Sequence, residues 1–199
     1  MSESDGETDT KAAMMEATYR ALCQHGYSNT SISKIASEFD KSKSLLYYHY
    51  EDKEELLEDF LHYLLDQLEA DLQSIEAETA HEELLSIVDR LLPEDVDEDQ
   101  MRFRRAMLEL RAQAPYHDAY RDQFVRSDEL ILSTLVEVIE RGIDDGEFRP
   151  VNSREVADFV YSLTYGAMGR GVPLENPDVI DSTREAVESY LDERLVKFA

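Results

Sequence analysis

Met14, Ala17, Thr18, Ala21 and Leu22 recur at i, i+3, i+4, i+7 and i+8, the period of one buried helical face. The stripe stops at His25-Gly26, where glycine can end a helix. Ile32, Ile35, Ala36 and Phe39 form a second, shorter stripe opened by Thr30-Ser31, either of which can N-cap it. Asp40-Lys41-Ser42 reads as a tight turn. Leu46, Tyr47 and Tyr50 give a third helix one apolar side, so Tyr47 and Tyr50 read as core. Asp52-Lys53-Glu54-Glu55 is a capping-box-like start. It opens a long fourth helix in which Leu57, Phe60, Leu61, Leu64, Leu65, Leu68, Leu72 and Ile75 keep one stripe.

Helical periods continue to the end of the chain. A short helix is expected near 81–92, an acidic loop from Pro93 to Asp99, a helix near 100–114 and a long one from Pro115 to Asp145. The next is capped by Asn152, with Glu155 three residues on. Gly169, Gly171, Pro173 and Pro177 break the pattern, and a last helix spans 178–198. No run alternates apolar and polar residues as a half-buried strand does. The fold class is all-α, with about nine helices.

The chain has 199 residues, of which 42% are hydrophobic, enough for a packed core. Its single cysteine, Cys23, excludes a disulfide framework and a Cys-based zinc module. The start is acidic and polar, and no run of about 18 apolar residues follows. A soluble cytoplasmic protein without a membrane partner is expected.

Charge changes the picture more. The net charge is −25, yet residues 11–53 hold six bases (Lys11, Arg20, Lys34, Lys41, Lys43, Lys53) against five acids. Residues 54–199 carry 14 bases and 36 acids. Five of the six lysines lie in that short segment; the sixth is Lys197. An acidic surface that keeps a chain dispersed in concentrated salt explains the total, and the one segment spared is where a polyanion can bind. The expectation is a halophile's protein.

Three short helices before a long one, with the positive charge in the first three, is the layout of a helix-turn-helix headpiece on a helical body. The residues support it. Gly26-Tyr27-Ser28-Asn29-Thr30-Ser31-Ile32, Ile35-Ala36, Leu46-Tyr47-Tyr48-His49-Tyr50 and Lys53-Glu54-Glu55-Leu56 closely resemble the TetR family of transcriptional regulators. That family's pattern is approximately G-Y/F-x-x-T-S/T-V/I-x-x-I-A, a turn, then S-x-G-x-L-Y-Y-H-F-x-S-K-E-E-L. The resemblance covers about residues 8–68 and implies a DNA-binding domain there, with the helix-turn-helix motif over about 31–50. Three positions depart from it: Asp40 and Ser44 stand where glycine is frequent, and Leu45 where a polar residue often stands. Asp tolerates the left-handed conformation that such a turn can require.

The residues outside the Leu46/Tyr47/Tyr50 stripe are suited to DNA. Lys43 can pair with phosphate or with guanine acceptors, and Ser42 and Ser44 can bond either kind of group. Leu45 either meets a thymine methyl or is half-buried. Tyr48 and His49 suit phosphate, and Lys53 lies in a helical first turn that favours anions. Thr30, Ser31 and Lys41 complete the expected DNA-binding set, while Lys11 reads as plain surface.

The resemblance implies that residues 69–199 form an effector-binding and dimerisation domain. The Arg102-Phe103-Arg104-Arg105 cluster pairs with neighbouring acids at i,i+4 or contacts an anionic ligand. Phe103, Met107, Tyr116, Tyr120, Phe124, Tyr161, Tyr165 and Met168 either line a pocket or are ordinary core. Arg102, Phe103, Met107, Tyr120, Tyr161 and Tyr165 are the candidate effector contacts. The helix after Asn152 is apolar on more than one side, so it is buried twice or meets a partner. Phe159, Leu163 and Ala167, with Val187, Tyr190 and Leu191 of the last helix, are the expected interface of a homodimer; Ala186, Val196 and Phe198 extend that helix's apolar surface.

His25, His62, His81, His117 and Cys23 share no metal-ligand spacing, and no glycine-rich phosphate loop follows a strand. No enzyme, metal or cofactor is expected. The reading is a dimeric regulator on a palindromic operator, released by a small molecule. The competing class is an acidic helical interaction protein with a relic headpiece.

Overall fold

The computed structural model describes residues 3–94 and 96–196, with side chains from residue 10 onward. The side chains of the acidic start, Asp95 of the expected loop, and Lys197 and Phe198 lie outside the described residues. Among those described, nine helices follow one another: α1 Glu3–Asn29, α2 Ile32–Glu38, α3 Lys43–His49, α4 Lys53–Gln73, α5 Ala80–Leu91, α6 Glu98–Arg111, α7 Asp118–Asp144, α8 Ser153–Gly171 and α9 Pro177–Leu195. One isolated antiparallel bridge joins Phe148 to Val196.

The ends differ from the expected ones where capping intervenes. Asp97 and Gln100 form a reciprocal capping box, so Glu98 and Asp99 belong to α6 rather than to a loop. Thr79 accepts the Glu82 N–H and starts α5, and Asn152 accepts the Glu155 N–H and starts α8. At α4 the Asp52 carboxylate accepts the Glu55 N–H at 2.9 Å, and Glu55 reaches back to the Glu51 N–H at 2.8 Å. Gly169 does not break α8; it lies inside it, and Gly171 is its last residue. Val196 is not helical but extended, because it pairs with Phe148. Ile75 falls beyond α4.

Two compact units divide the chain: residues 1–67 with 97–124, and residues 68–96 with 125–199. Sequence alone places a single cut near 68. The compact headpiece additionally includes α6 and the start of α7, because α6 packs along α1. The headpiece core gathers Met14, Met15, Ala17, Ala21 and Leu22 of α1, Ile35 of α2, Leu46 of α3, Leu56, Leu57 and Phe60 of α4, and Leu110 of α6. Leu46, Leu56 and Leu57 are completely buried, and each such side chain contributes about 1.5–3 kcal/mol of transfer free energy.

The second unit packs α8 on α9, around Leu84, Ile87, Val88, Leu135, Ile139, Phe148, Val160, Val187 and Leu191. Gly142 admits the Phe148 ring: a Cβ there would come within 2.3 Å of it. Arg184 of α9 is the polar clamp. It pairs with Asp89, donates to Glu188 at 2.9 Å and to the Leu92 carbonyl at 3.2 Å, and lies 3.5 Å from Glu94.

The residues expected at a dimer interface differ in exposure. Ala167, Val187 and Leu191 are buried, and Val187 and Leu191 belong to the core that α9 shares with α5 and α8. Phe159 remains 44% exposed. Its ring lies 4.5 Å from that of half-buried Tyr190, and Leu163 is also half-buried.

Candidate nucleic-acid interface

Local chemistry starts the interface. Gly26 takes φ 68° and ψ 174°, kinking the chain out of α1; only glycine takes that conformation at little cost. The Thr30 hydroxyl donates to the Gly26 carbonyl at 2.6 Å and is also within reach of the Ala21 carbonyl at 3.3 Å. Thr30 is therefore buried and pins the end of α1. Ser31 is the N-cap, accepting the Lys34 N–H at 3.3 Å, and stays exposed.

The turn between α2 and α3 closes without a left-handed residue at Asp40, since Glu175 is the non-glycine residue with positive φ among those described. The expected conformational role of Asp40 is thus replaced by a charge role. Arg20 of α1 donates to the Glu38 carbonyl at 2.6 Å and lies 3.6 Å from the Asp40 carboxylate. It also approaches Glu16 at 3.7 Å and Glu38 at 4.0 Å. Arg20 therefore closes the turn from below and offsets the acid on its outer side.

α3 buries Leu46 and seats its C-cap residue Tyr50 in the core, with Leu45 packed half-buried beside them. Lys41, Ser42, Lys43, Ser44, Tyr48 and His49 are exposed, and Tyr48 is 83% so. Tyr47 was expected in the core, yet it is half exposed. Leu46 and Tyr50, four residues apart, take the inward line of this short helix, and Tyr47 stands about 100° round from Leu46. The Ser42 and Ser44 hydroxyls bond each other at 2.7 Å, and the Tyr48 and His49 rings meet edge to face. Lys41 donates to Thr10 at 3.2 Å. Lys53 places its ammonium 4.3 Å from the Tyr27 ring centroid. Lys11 is exposed, as expected, and pairs with Asp59 at 3.1 Å.

The candidate effector residues belong to both units, Arg102, Phe103, Met107 and Tyr120 to the first and Tyr161 and Tyr165 to the second. Arg102 pairs with Glu98 and Asp99 of its own helix, consistent with the i,i+4 reading. Phe103 lies against Tyr19 and Phe60. Tyr120 is fully buried and donates to the Glu54 carbonyl at 3.3 Å, which places it in the headpiece core. Met107 packs half-buried on the same core. In the other unit Tyr161 donates to Asp128 at 2.6 Å, with the Tyr165 ring 6.4 Å away and 41% exposed.

A short exposed helix on a three-helix platform, with lysine, serines and aromatic hydroxyls outward and leucine inward, is the geometry of a helix-turn-helix that lays its second helix against DNA. The family model for the N-terminal domain of bacterial regulatory proteins of the tetR family matches residues 14–60. That of the BetI-type transcriptional repressor C-terminal domain matches residues 80–196. Among solved structures, the chain is similar to a TetR transcription regulator from Haloarcula marismortui, with 34% identity and a TM-score of 0.86 over 94% of this chain and 99% of that one. A Saccharomonospora viridis protein described as a transcriptional regulator, solved in complex with choline, is 22% identical with a TM-score of 0.80 over 96% of this chain and all of its own. A TetR-family regulator from Cytophaga hutchinsonii shows the same fold, with 24% identity and a TM-score of 0.77 over all of this chain and 99% of its own. No curated protein matches. The chain belongs to the TetR family of transcriptional regulators and is a DNA-binding regulator of transcription. Proteins of that family are generally not enzymes, and no helix among the described residues is long and apolar enough to cross a membrane.

Proposed function

We propose that this chain is a homodimeric cytoplasmic repressor that binds a palindromic operator in concentrated salt and leaves it when a small molecule binds the body. The observation that carries the reading is charge placement. The exposed face of α3 sits in the one segment, residues 11–53, that is not strongly acidic in a chain of net charge −25. In this reading Lys43, Ser42, Ser44 and Tyr47 face base edges in the major groove, while Lys41, Tyr48, His49, Lys53 and Ser31 bond phosphates. Phe159, Leu163 and Tyr190 form the centre of the contact between two copies, which sets the spacing of the half-sites. The halophilic neighbour from Haloarcula supports the salt reading.

For the effector, the Asp128 carboxylate beside Tyr161 and Tyr165 suits a small organic cation, because a carboxylate and aromatic faces both attract one. Choline, which the Saccharomonospora viridis protein holds, is the first compound to try. The deciding experiment is a gel shift against the protein's own upstream DNA in molar KCl, with sedimentation of the same sample. A folded dimer that shifts no duplex would refute the proposal; a shift reversed by choline would extend it to the effector.

A further inference from the structure

Glu109 of α6 lies 82 residues along the chain from Tyr27, yet its carboxylate sits in the α1–α2 junction. Its Oε2 accepts the Tyr27 N–H at 2.9 Å and the Ser28 N–H at 3.4 Å. Two consecutive amides converge on one oxygen because Gly26, with its φ of 68°, turns them the same way and makes a small anion-binding concavity. Glycine also leaves the room, since a Cβ at residue 26 would come within 3.2 Å of that oxygen.

From this concavity two connections run toward the DNA-facing side chains. The Tyr27 ring underlies the Lys53 ammonium. The Gly26 carbonyl takes the Thr30 hydroxyl, immediately before the Ser31 cap of α2. A turn fixed at Tyr27 and Ser28 thus sets both the start of α2 and the position of Lys53. We propose that Glu109 is a positioning residue for operator binding, acting through Tyr27 and the α1–α2 junction. The inference rests on the operator-binding reading above.

The test uses full-length E109Q, E109A and E109D with a duplex that the wild-type chain selects from a random pool, all at one KCl concentration. Glutamine keeps an acceptor in reach of both amides, and its affinity stays within about threefold of wild type. Alanine removes the acceptor and aspartate withdraws it by one methylene. Both lose about tenfold, the scale of one charge-assisted hydrogen bond. The loss from E109D is not additive with K53A, because the two changes break one chain of contacts. A purely structural defect would instead add to K53A. If E109A does not fold, E109Q against E109D gives the same decision. Equal affinity of E109Q and E109D, full additivity with K53A, or tighter binding by either variant overturns the proposal. A wild-type chain that selects no duplex overturns the operator-binding reading, and this inference with it.

Discussion

The Tyr50 phenol donates to Asp59 Oδ2 at 2.9 Å, joining the residue that ends α3 to the second turn of α4. The same oxygen receives the Lys11 ammonium from α1, so one carboxylate ties three helices around the recognition element. Burial, then the hydrogen bond to Asp59, pushes the Tyr50 phenol above its usual range. Burial likewise raises Tyr120, and it raises Tyr19 to about 12. A phenol raised in the folded state contributes stability that is complete below its unfolded value near 10. That stability is lost as pH climbs through the folded value. Unfolding midpoints should therefore hold to about pH 10 and fall between 10 and 12. An ultraviolet titration of the phenols should show Tyr19, Tyr50 and Tyr120 ionising late, in step with loss of helix. Ionisation of all phenols near the ordinary value in a folded sample would contradict this. Tyr50→Phe should cost about 1 kcal/mol by urea unfolding.

Arg20 is expected to matter for DNA although it lies on α1 beneath the motif. Its guanidinium offsets Asp40 in the turn that precedes α3 and holds the Glu38 carbonyl. Arg20→Met should lower operator affinity by about three- to tenfold, since Asp40, the most exposed of the acids it offsets, then stands uncompensated beside the phosphates. Combining it with Asp40→Asn should recover most of the loss. A double variant as weak as the single one would show that the carbonyl contact, not the charge, is what counts.

The two kinds of residue in the last helices should separate cleanly. Phe159→Glu adds a charge to an exposed apolar spot and should leave the helical signal intact while sedimentation reports monomers. Operator affinity then falls by about a hundredfold or more, because two tethered headpieces gain from effective concentration. Val187→Glu places a charge inside the unit's own core and should unfold it instead. Phe159→Glu dimers with unchanged affinity would move the interface elsewhere.

Salt should act in two opposing ways. Counterion release weakens binding by about 0.9 in log affinity per log salt for each neutralised phosphate. The acidic remainder of the chain repels the duplex, and salt screens that repulsion too. The predicted slope across a KCl series is shallow, with specific binding still measurable above about 1 M, where charges interact over only about 3 Å. Helical circular dichroism should decline in dilute buffer as the acids repel one another. Steep loss of affinity with rising KCl, together with full helicity in dilute buffer, would leave the acidity without this explanation.

The helices and the headpiece are legible along the chain, because both rest on near neighbours. A stripe at helical period, a serine or aspartate cap and a glycine at a kink each act within a few residues. The spaced run from Gly26 to Leu56 carries the family, and the charge count along the chain singled out the same segment. Which side of an apolar helix faces inward depends instead on packing between distant segments. Tyr47 and Thr30 exchanged their expected exposures because Leu46 and Tyr50 take the inward line of α3, and because the kink at Gly26 leaves carbonyls that need a buried hydroxyl. Ala167, Val187 and Leu191 looked like surface for a partner, but periodicity cannot tell a face covered by the chain's own helices from one covered by a second copy. The roles of Arg20 and Glu109 are illegible in sequence for the same physical reason. Their partners are a carbonyl, a turn and two amides brought near by packing, and backbone groups carry no sequence signature.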